Sequence, residues 1–313
     1  HGHGVADVIS LTDDLAPAPV RPPERRDASA DACVLYTSGS TAAPKGVRHT
    51  HETLLVGLAA LPTDTTTTTL AAFPAGHVAS LIGLLRPLTA GGTTILMDRW
   101  SARRAAELIE EYRVNVSAGT PFFLATLLDE AERAGRDISS LQRFLCGAAP
   151  VPPALVERAE AAGIVTWRSY GSTEHPAIAT SGPDHPPAKR RNTDGMPVPG
   201  VELRLVDEAG HDVPAGQEGE IVVRGPKQFV GYQNPDADRT AFLDGGWFRT
   251  GDLARLDSDG YLIVTDRVKD IIIRGGENIS AREVEEVLLA HPAVQEVAVA
   301  AVADPVFGEL VGA

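Results

Sequence analysis

Two rhythms of apolar and polar positions run along this chain, and the change between them falls near residue 195. Before it, short apolar runs alternate with stretches whose apolar positions recur every three or four residues. Ala32 to Tyr36 reads as a buried strand, and Thr65 to Thr69 lead into a second at Leu70 to Phe73. β-Branched threonines favour extended backbone, so that run is strand and not a disordered tract. Val78 to Leu85 predicts a helix, as does Ala102 to Arg113 with Leu108, Ile109 and Tyr112 on one side. Val114 to Val116 is the next expected strand. Thr120-Pro121 opens a helix with proline in its first turn, ending near Gly135. Ile138 to Cys146 leads to another strand, and Pro152 to Ala162 to a helix stopped by Gly163. Strand and helix alternating through residue 175 predict an α/β body with a mostly parallel sheet.

After residue 195 the period becomes two. Val201 to Val206 and Gly219 to Arg224 alternate apolar with polar side chains between turns, and Tyr261 to Thr265 repeats the theme, which predicts a small antiparallel β unit. Beyond Asp266 comes a strand at Ile271 to Ile273. A capping box at Ser280 and Glu283 follows, opening a helix to about Ala290, and then a strand at Val297 to Val302. Residues 1–30, rich in proline, alanine and charge (APAPVRPPERRDASAD), read as an extended lead-in. The expected units are thus 1–30, a body over 31–195, a β unit over 196–266 and the start of a third unit over 267–313.

With 313 residues, 43% of them apolar, the chain suffices for one large or two moderate domains. No apolar run reaches membrane-spanning length, and no signal-like start is present. Twenty-eight basic against 42 acidic residues give a net charge of −14, which disfavours nucleic acid as a partner. An anionic ligand must therefore be held by local donors. Cys33 and Cys146 lack metal-ligand spacing and read as buried packing thiols, consistent with a cytoplasmic protein. The start at His1 and the stop at Ala313 look like cut ends.

Chemistry concentrates in four stretches. YTSGSTAAPKGV, Tyr36 to Val47, sets hydroxyls and a glycine beside Lys45, the short donors and single cation that a polyphosphate needs. Its spacing is not that of a Walker loop. SYGSTE, Ser169 to Glu174, puts a carboxylate in a glycine turn at a strand's carboxyl end, where open α/β sheets bind ligands. Trp247 to Asp252 places an aspartate after an aromatic pair and a tight turn. DRVKDIIIRGGENIS, Asp266 to Ser280, sets a charge cluster beside an apolar strand.

In this order and at these separations, the four stretches resemble the adenylate-forming (ANL) superfamily of acyl-CoA synthetases, peptide-synthetase adenylation domains and luciferases, from about residue 32 onward. The resemblance implies an α/β core over 31–195 that lacks the family's N-terminal subdomain, a small β subdomain over 196–266, and the truncated start of a mobile C-terminal α+β domain over 267–313. It implies ATP-dependent activation of a carboxylic acid to acyl-AMP, with Mg²⁺ as cofactor, and transfer to CoA. Thr37, Ser38, Gly39, Ser40, Thr41 and Lys45 are then assigned to the β- and γ-phosphates, Thr173 to the α-phosphate, and Glu174 to Mg²⁺. Tyr170 and Gly171, beside Gly147, Ala148 and Ala149, are assigned to adenine, and Asp252 with Arg267 to the ribose. Lys269 falls at the hinge, and Gly275, Gly276 and Glu277 line the thiol's approach. His77 is the expected gate of the acid pocket, with Val78, Leu81, Phe122 and Phe123 as walls and His175 bordering the acid. Ala42 replaces the glycine usual in the phosphate loop.

The GGEN sequence looks like that of CoA ligases. The YGSTEHP run, with Asn192 to Gly195 downstream, is similar to bacterial ligases for alicyclic or medium-chain acids. Two other readings stand beside it. One is an acyl-AMP ligase that loads a carrier protein. The other is a nucleotide-binding fragment of low activity, because no residue here can be assigned the family's adenylation lysine. The expected partners are a small carboxylic acid and CoA, with no nucleic acid and no membrane span, and a homodimer is compatible with the sequence.

Overall fold

The structure, a computed structural model, describes residues 27–37, 44–59, 65–289, 291, 293–294 and 297–313. Most of the expected lead-in, residues 1–26, lies outside them.

An antiparallel hairpin comes first, β1 (Asp31–Thr37) paired with β2 (Lys45–Thr50), which runs into α1 (His51–Ala59). The buried strand expected at Ala32 to Tyr36 is corrected here. β1 has a partner on one side only, and Tyr36 is 61% exposed. Cys33, half-buried on this strand, is likewise not the buried thiol expected, whereas Cys146 is buried.

Strand and helix then alternate as anticipated: β3 (Thr68–Ala71), α2 (Val78–Ala90), β4 (Thr93–Leu96), α3 (Ala102–Tyr112), β5 (Val116–Gly119), α4 (Pro121–Ala134), β6 (Arg143–Gly147), α5 (Pro153–Ala161) and β7 (Val165–Tyr170). Their starts follow local chemistry. Ser101 Oγ accepts from Arg104 N at 3.3 Å and Thr120 Oγ1 from Phe123 N at 3.4 Å, satisfying first-turn N–H groups that have no helical acceptor. Gly135 ends α4 at φ 62°, a left-handed cap that glycine adopts without strain. β5 starts at Val116 and not at Val114. Val114 is fully buried in the core, and Asn115 closes the strand edge by donating its N–H to Thr68 O and accepting from Thr68 N, both at 3.0 Å.

β4, β3, β5, β6 and β7 are parallel in that order, and the short strands β8 (Ala179–Thr180) and β9 (Met196–Pro197) extend the sheet antiparallel. The helix α6 (Pro187–Asn192) lies between these two in the chain. Leu70, Ile109, Leu124, Leu127, Phe144 and Ile164 form the core between the sheet and its helices.

The antiparallel sheet expected after residue 195 contains β10 (Glu202–Val206), β11 (Gly219–Arg224), β12 (Phe242–Leu243), β13 (Trp247–Leu256) and β14 (Leu262–Arg267), with the one-turn helix α7 (Asp238–Ala241) before β12. β11 does not show one wet face. It is central, and five of its six residues are buried, including Glu220, which pairs with Arg249. A third sheet has the order β16 (Glu277–Ser280), β15 (Ile271–Arg274), β18 (Gly308–Gly312), β17 (Ala300–Asp304). The helix α8 (Ala281–Leu289) begins where Ser280 Oγ accepts from Glu283 N at 3.0 Å, the expected cap. The last anticipated strand, at Val297, starts at Ala300 instead. No helix among the described residues is long and apolar enough to cross a membrane.

Candidate active site

Because β3, β5, β6 and β7 run parallel, their carboxyl ends open on one edge, and the predicted residues follow those ends. His77 comes after β3, Phe122 after β5, Gly147 to Ala149 at the end of β6, and Tyr170 to His175 at the end of β7. Chain backbone is close-packed here. A Cβ on Gly147 would come within 2.6 Å of Ser169 O, and one on Gly171 within 2.5 Å of Ala177 N. Ala148 and Ala149 are exposed beside the turn, Ala148 at φ 62°.

The first constellation is built on Asp252. The tight turn expected before it is a bulge inside β13. Four residue steps from Arg249 to Leu253 oppose two on β11, and Gly251 takes φ 74° to absorb the difference. Glu220 Oε1 accepts from Gly251 N at 3.2 Å and holds the bulge. This turns Asp252 towards β7. Its Oδ2 accepts from the Tyr170 hydroxyl at 2.6 Å and its Oδ1 from Arg267 Nε at 2.9 Å. Burial pushes the Asp252 carboxyl up, while the Tyr170 hydrogen bond and the Arg267 guanidinium oppose the rise. Tyr170 is raised well above its ordinary value by burial and then by the Asp252 carboxylate, so it stays a neutral donor. Three residues from three separate motifs thus meet.

The second constellation surrounds Glu174. The turn from Ser172 to His175 closes on itself, with Ser172 Oγ accepting from His175 N at 3.2 Å. His49, fully buried on β2, places Nε2 at 2.8 Å from Thr173 O and Nδ1 at 3.1 Å from Thr53 Oγ1. A carbonyl only accepts, so Nε2 carries the proton. Burial lowers the His49 pKa, against the Thr173 carbonyl and the Glu174 charge. On the other side, the Tyr232 hydroxyl donates to Glu174 Oε1 at 2.8 Å, and Phe229 N donates to Glu174 O at 2.7 Å. The two constellations are close enough for the Glu174 charge to push the Asp252 carboxyl further up. Neither His49 nor Tyr232 was anticipated. The inward alternation from Val47 to His49 carried a signal for the first. Nothing in the local sequence signalled the second, whose partner lies 58 positions away.

Lys45 opens β2, its ammonium 4.9 Å from the centroid of the Tyr232 ring. A cavity of about 430 Å³ lies here, lined by Tyr36, Lys45, Tyr232 and Asn234 among others. Thr37 ends β1 opposite Lys45. Ser38, Gly39, Ser40, Thr41 and Ala42 lie outside the described residues.

On the acid side, His77 caps α2. Its Nδ1 accepts from Ala79 N at 3.1 Å, which leaves the proton of the neutral ring on Nε2. Burial lowers its pKa. The ring stacks on Phe73 at 5.1 Å, Phe73 meets Phe123 at 5.9 Å, and Phe123 stacks on Trp100 at 4.2 Å. Val78 is buried, whereas Phe122 is 63% exposed and it is Phe123 that points into the stack. His175 is fully buried, and neither ring nitrogen has a partner among the described residues; burial pushes its pKa down to about 4.

The remaining predicted residues are Lys269 and Gly275 to Glu277. Lys269 is exposed in the turn Val268–Asp270. Gly275 (φ 61°) and Gly276 (φ 90°) make the two-residue turn between β15 and β16, with Glu277 paired to Arg274.

No group of three or more His, Cys, Asp or Glu able to cage a metal exists among the described residues. A single aimed carboxylate does fit Mg²⁺, which binds proteins through one or two carboxylates and completes its shell with water and substrate phosphates.

Comparison with known proteins identifies the family. Residues 5–233 match the family model described as AMP-binding enzyme. The medium-chain fatty-acid–CoA ligase of Escherichia coli K12 is 38% identical over 284 residues, covering 89% of this chain and 50% of the relative. Feruloyl-CoA synthase of an Amycolatopsis species is 37% identical over 304 residues, covering 95% and 62%. The o-succinylbenzoate–CoA synthetase of Bacillus subtilis, solved with ATP and magnesium, superposes with a TM-score of 0.85 at 32% identity, covering 95% of this chain and 62% of that one. The chain therefore spans only 50 to 62% of the length of these relatives. The family model covers well over half of the chain, and by that measure the protein belongs to the AMP-binding enzymes of the adenylate-forming superfamily.

Proposed function

We propose that the protein serves the ATP-dependent activation of a small carboxylic acid to acyl-AMP, followed by transfer of the acyl group to CoA. The observation that carries this reading is the turn from Tyr170 to Glu174. Its tyrosine is bonded to the buried Asp252, and its glutamate stands at the carboxyl edge of a parallel sheet. Asp252 is an acceptor for the ribose hydroxyls, with Arg267 holding one of its oxygens. The surface around Tyr170, Gly171 and Gly147 to Ala149 takes the adenine.

A carboxylate is a poor acyl donor because its leaving group would be oxide. Attack of its oxygen on the α-phosphorus forms the acyl–phosphate bond, breaks the bond to the bridging oxygen and expels pyrophosphate. Lys45 with Thr37 to Thr41 neutralises the β- and γ-phosphates, and Thr173 contacts the α-phosphate. Glu174 holds Mg²⁺, which supplies charge neutralisation on the phosphates when bound. The thiol sulfur then attacks the carbonyl carbon, AMP departs, and the thiol proton goes to solvent. Gly275, Gly276 and Glu277 line that approach, with Lys269 as the hinge about which the third sheet turns. His77, neutral and with its Nε2–H available, gates the acid beside Val78, His175 and Phe123, which takes the place expected of the outward-facing Phe122.

The test is product analysis after incubation with ATP, Mg²⁺, CoA and a panel of carboxylic acids. AMP together with one matching acyl-CoA is the expected result. ADP in place of AMP contradicts the reading. Acid-dependent AMP that needs a phosphopantetheinylated carrier retains the adenylation step and replaces CoA as acceptor.

A further inference from the structure

Tyr232 lies outside every motif that led to the site, yet its side chain touches two of them. Its hydroxyl meets Glu174 and its ring face takes the Lys45 ammonium. The ring is held from all sides. Tyr232 is 4% exposed, Phe229 packs edge-on at 4.8 Å, and Asp238 Oδ1 accepts from Tyr232 N at 2.8 Å. The backbone around it is stitched to β2. Val230 N donates to Arg48 O at 3.0 Å, Arg48 N to Gly231 O at 3.1 Å, and Gln233 N to Gly46 O at 2.7 Å. Gly231 makes the bend possible at φ 131°, where a Cβ would come within 2.8 Å of Asp238 Oδ2. The tyrosine is therefore the fixed member of the pair, and the carboxylate is the member whose rotation is set by it.

We propose that Tyr232 is a positioning residue. It fixes the rotation of the Glu174 carboxylate so that the other oxygen is presented to a divalent cation carried in with nucleotide phosphates, and the same ring seats Lys45 for those phosphates. This rests on the nucleotide reading given above. A carboxylate with one oxygen held by a buried donor loses less freedom on taking a cation than one that rotates freely. Partners of this kind typically change metal affinity 10- to 100-fold when removed. Because strand, ring and turn form one hydrogen-bonded unit, the phosphate-binding lysine and the metal-binding carboxylate also keep a constant separation as ligands come and go.

The experiment measures ATP binding by calorimetry across a magnesium series and in EDTA, for the full chain and for Tyr232→Phe, Glu174→Gln and the double variant. Phenylalanine keeps the ring, and with it the packing and the Lys45 contact, and removes only the hydroxyl. The expected result is that Tyr232→Phe raises the half-saturating magnesium concentration about tenfold. Its effect on ATP affinity in EDTA is expected to be much smaller. Glu174→Gln removes the magnesium dependence, and Tyr232→Phe then adds nothing further. Tyr232→Leu, lacking the ring, should weaken binding in EDTA as well. A magnesium curve for Tyr232→Phe that overlays the parent curve overturns the inference while leaving the nucleotide reading intact. A parent chain that binds ATP without magnesium dependence, or not at all, overturns both.

Discussion

Replacing Asp194 with alanine should both destabilise the fold and loosen the nucleotide site from a distance. Asp194 is 7% exposed and Arg168 5%. Oδ1 of Asp194 accepts from Arg168 Nε at 3.1 Å and Nη2 at 2.8 Å, while Oδ2 accepts from Val264 N at 2.9 Å. This carboxylate therefore ties β7 of the large sheet to β14 of the antiparallel sheet. Tyr170 stands two residues beyond Arg168 on the same strand face, and Arg267 three beyond Val264; those are the two residues that meet on Asp252. Alanine would leave a buried guanidinium without its carboxylate, held only by the Arg191 carbonyl at 3.3 Å, a change that costs about 3–5 kcal/mol. At about 2–4 °C per kcal/mol for chains of roughly 150–250 residues, the melting temperature should fall on the order of 10 °C. Thermal unfolding followed by circular dichroism at pH 7 reads this directly. Replacing both partners with apolar residues of similar volume, Arg168→Met with Asp194→Leu, should recover most of the loss, because the isolated charge is gone. At a temperature where Asp194→Ala is still folded, it should also bind AMP more weakly. A melting shift under 2 °C for Asp194→Ala, or a double variant less stable than either single one, would refute the reasoning.

Two further outcomes follow from packing and burial. Gly171→Ala would drive a Cβ to 2.5 Å from Ala177 N, which is backbone and cannot swing aside; the turn must open, and nucleotide affinity should drop at least tenfold with a lower melting temperature, whereas an unchanged affinity contradicts the close packing. His175, pushed down to about 4 by burial against 6.5 unfolded, stays neutral in the fold while the unfolded chain takes up a proton. The stability that this neutral ring contributes is complete above pH 6.5 and is lost progressively as pH falls towards 4. Melting temperature should decline less steeply between pH 7 and pH 5 in His175→Leu than in the parent chain, and parallel slopes would show that His175 does not carry the dependence.

How much of this was legible in the sequence depends on the range of the interaction. The helix α4 was readable because Thr120, Pro121 and Gly135 act within one turn of the ends they set, and α3 because Leu108 and Ile109 recur at helical spacing, while its Ser101 cap came only from the structure. The parallel body followed from alternation alone. β1 was misread as buried because an apolar run does not reveal how many neighbours the strand has, and here it has one. The bulge at Gly251 was read as a turn, since glycine before aspartate signals either, and only the opposing strand decides between them. The family resemblance named Tyr170, Asp252 and Arg267, and the fold brings these three together. His49 and Tyr232 were missed because their work is done across 124 and 58 positions, on backbone and carboxylate groups of a turn whose own sequence says nothing of its supports. The aromatic stack was half legible: two adjacent phenylalanines were marked, but only the helix phase shows that Phe123 faces inward and Phe122 outward.

That Asp252, Tyr170 and Glu174 form one nucleotide site is tested by equilibrium binding of AMP and of ATP with magnesium to the 313-residue chain, beside Asp252→Asn. Saturable binding of both nucleotides to the parent chain is the expected result. In the variant, affinity should fall by about 10- to 100-fold, the loss expected when hydrogen bonds to a charged acceptor are weakened. Equal binding by the parent and Asp252→Asn, or no binding by the parent, would contradict it.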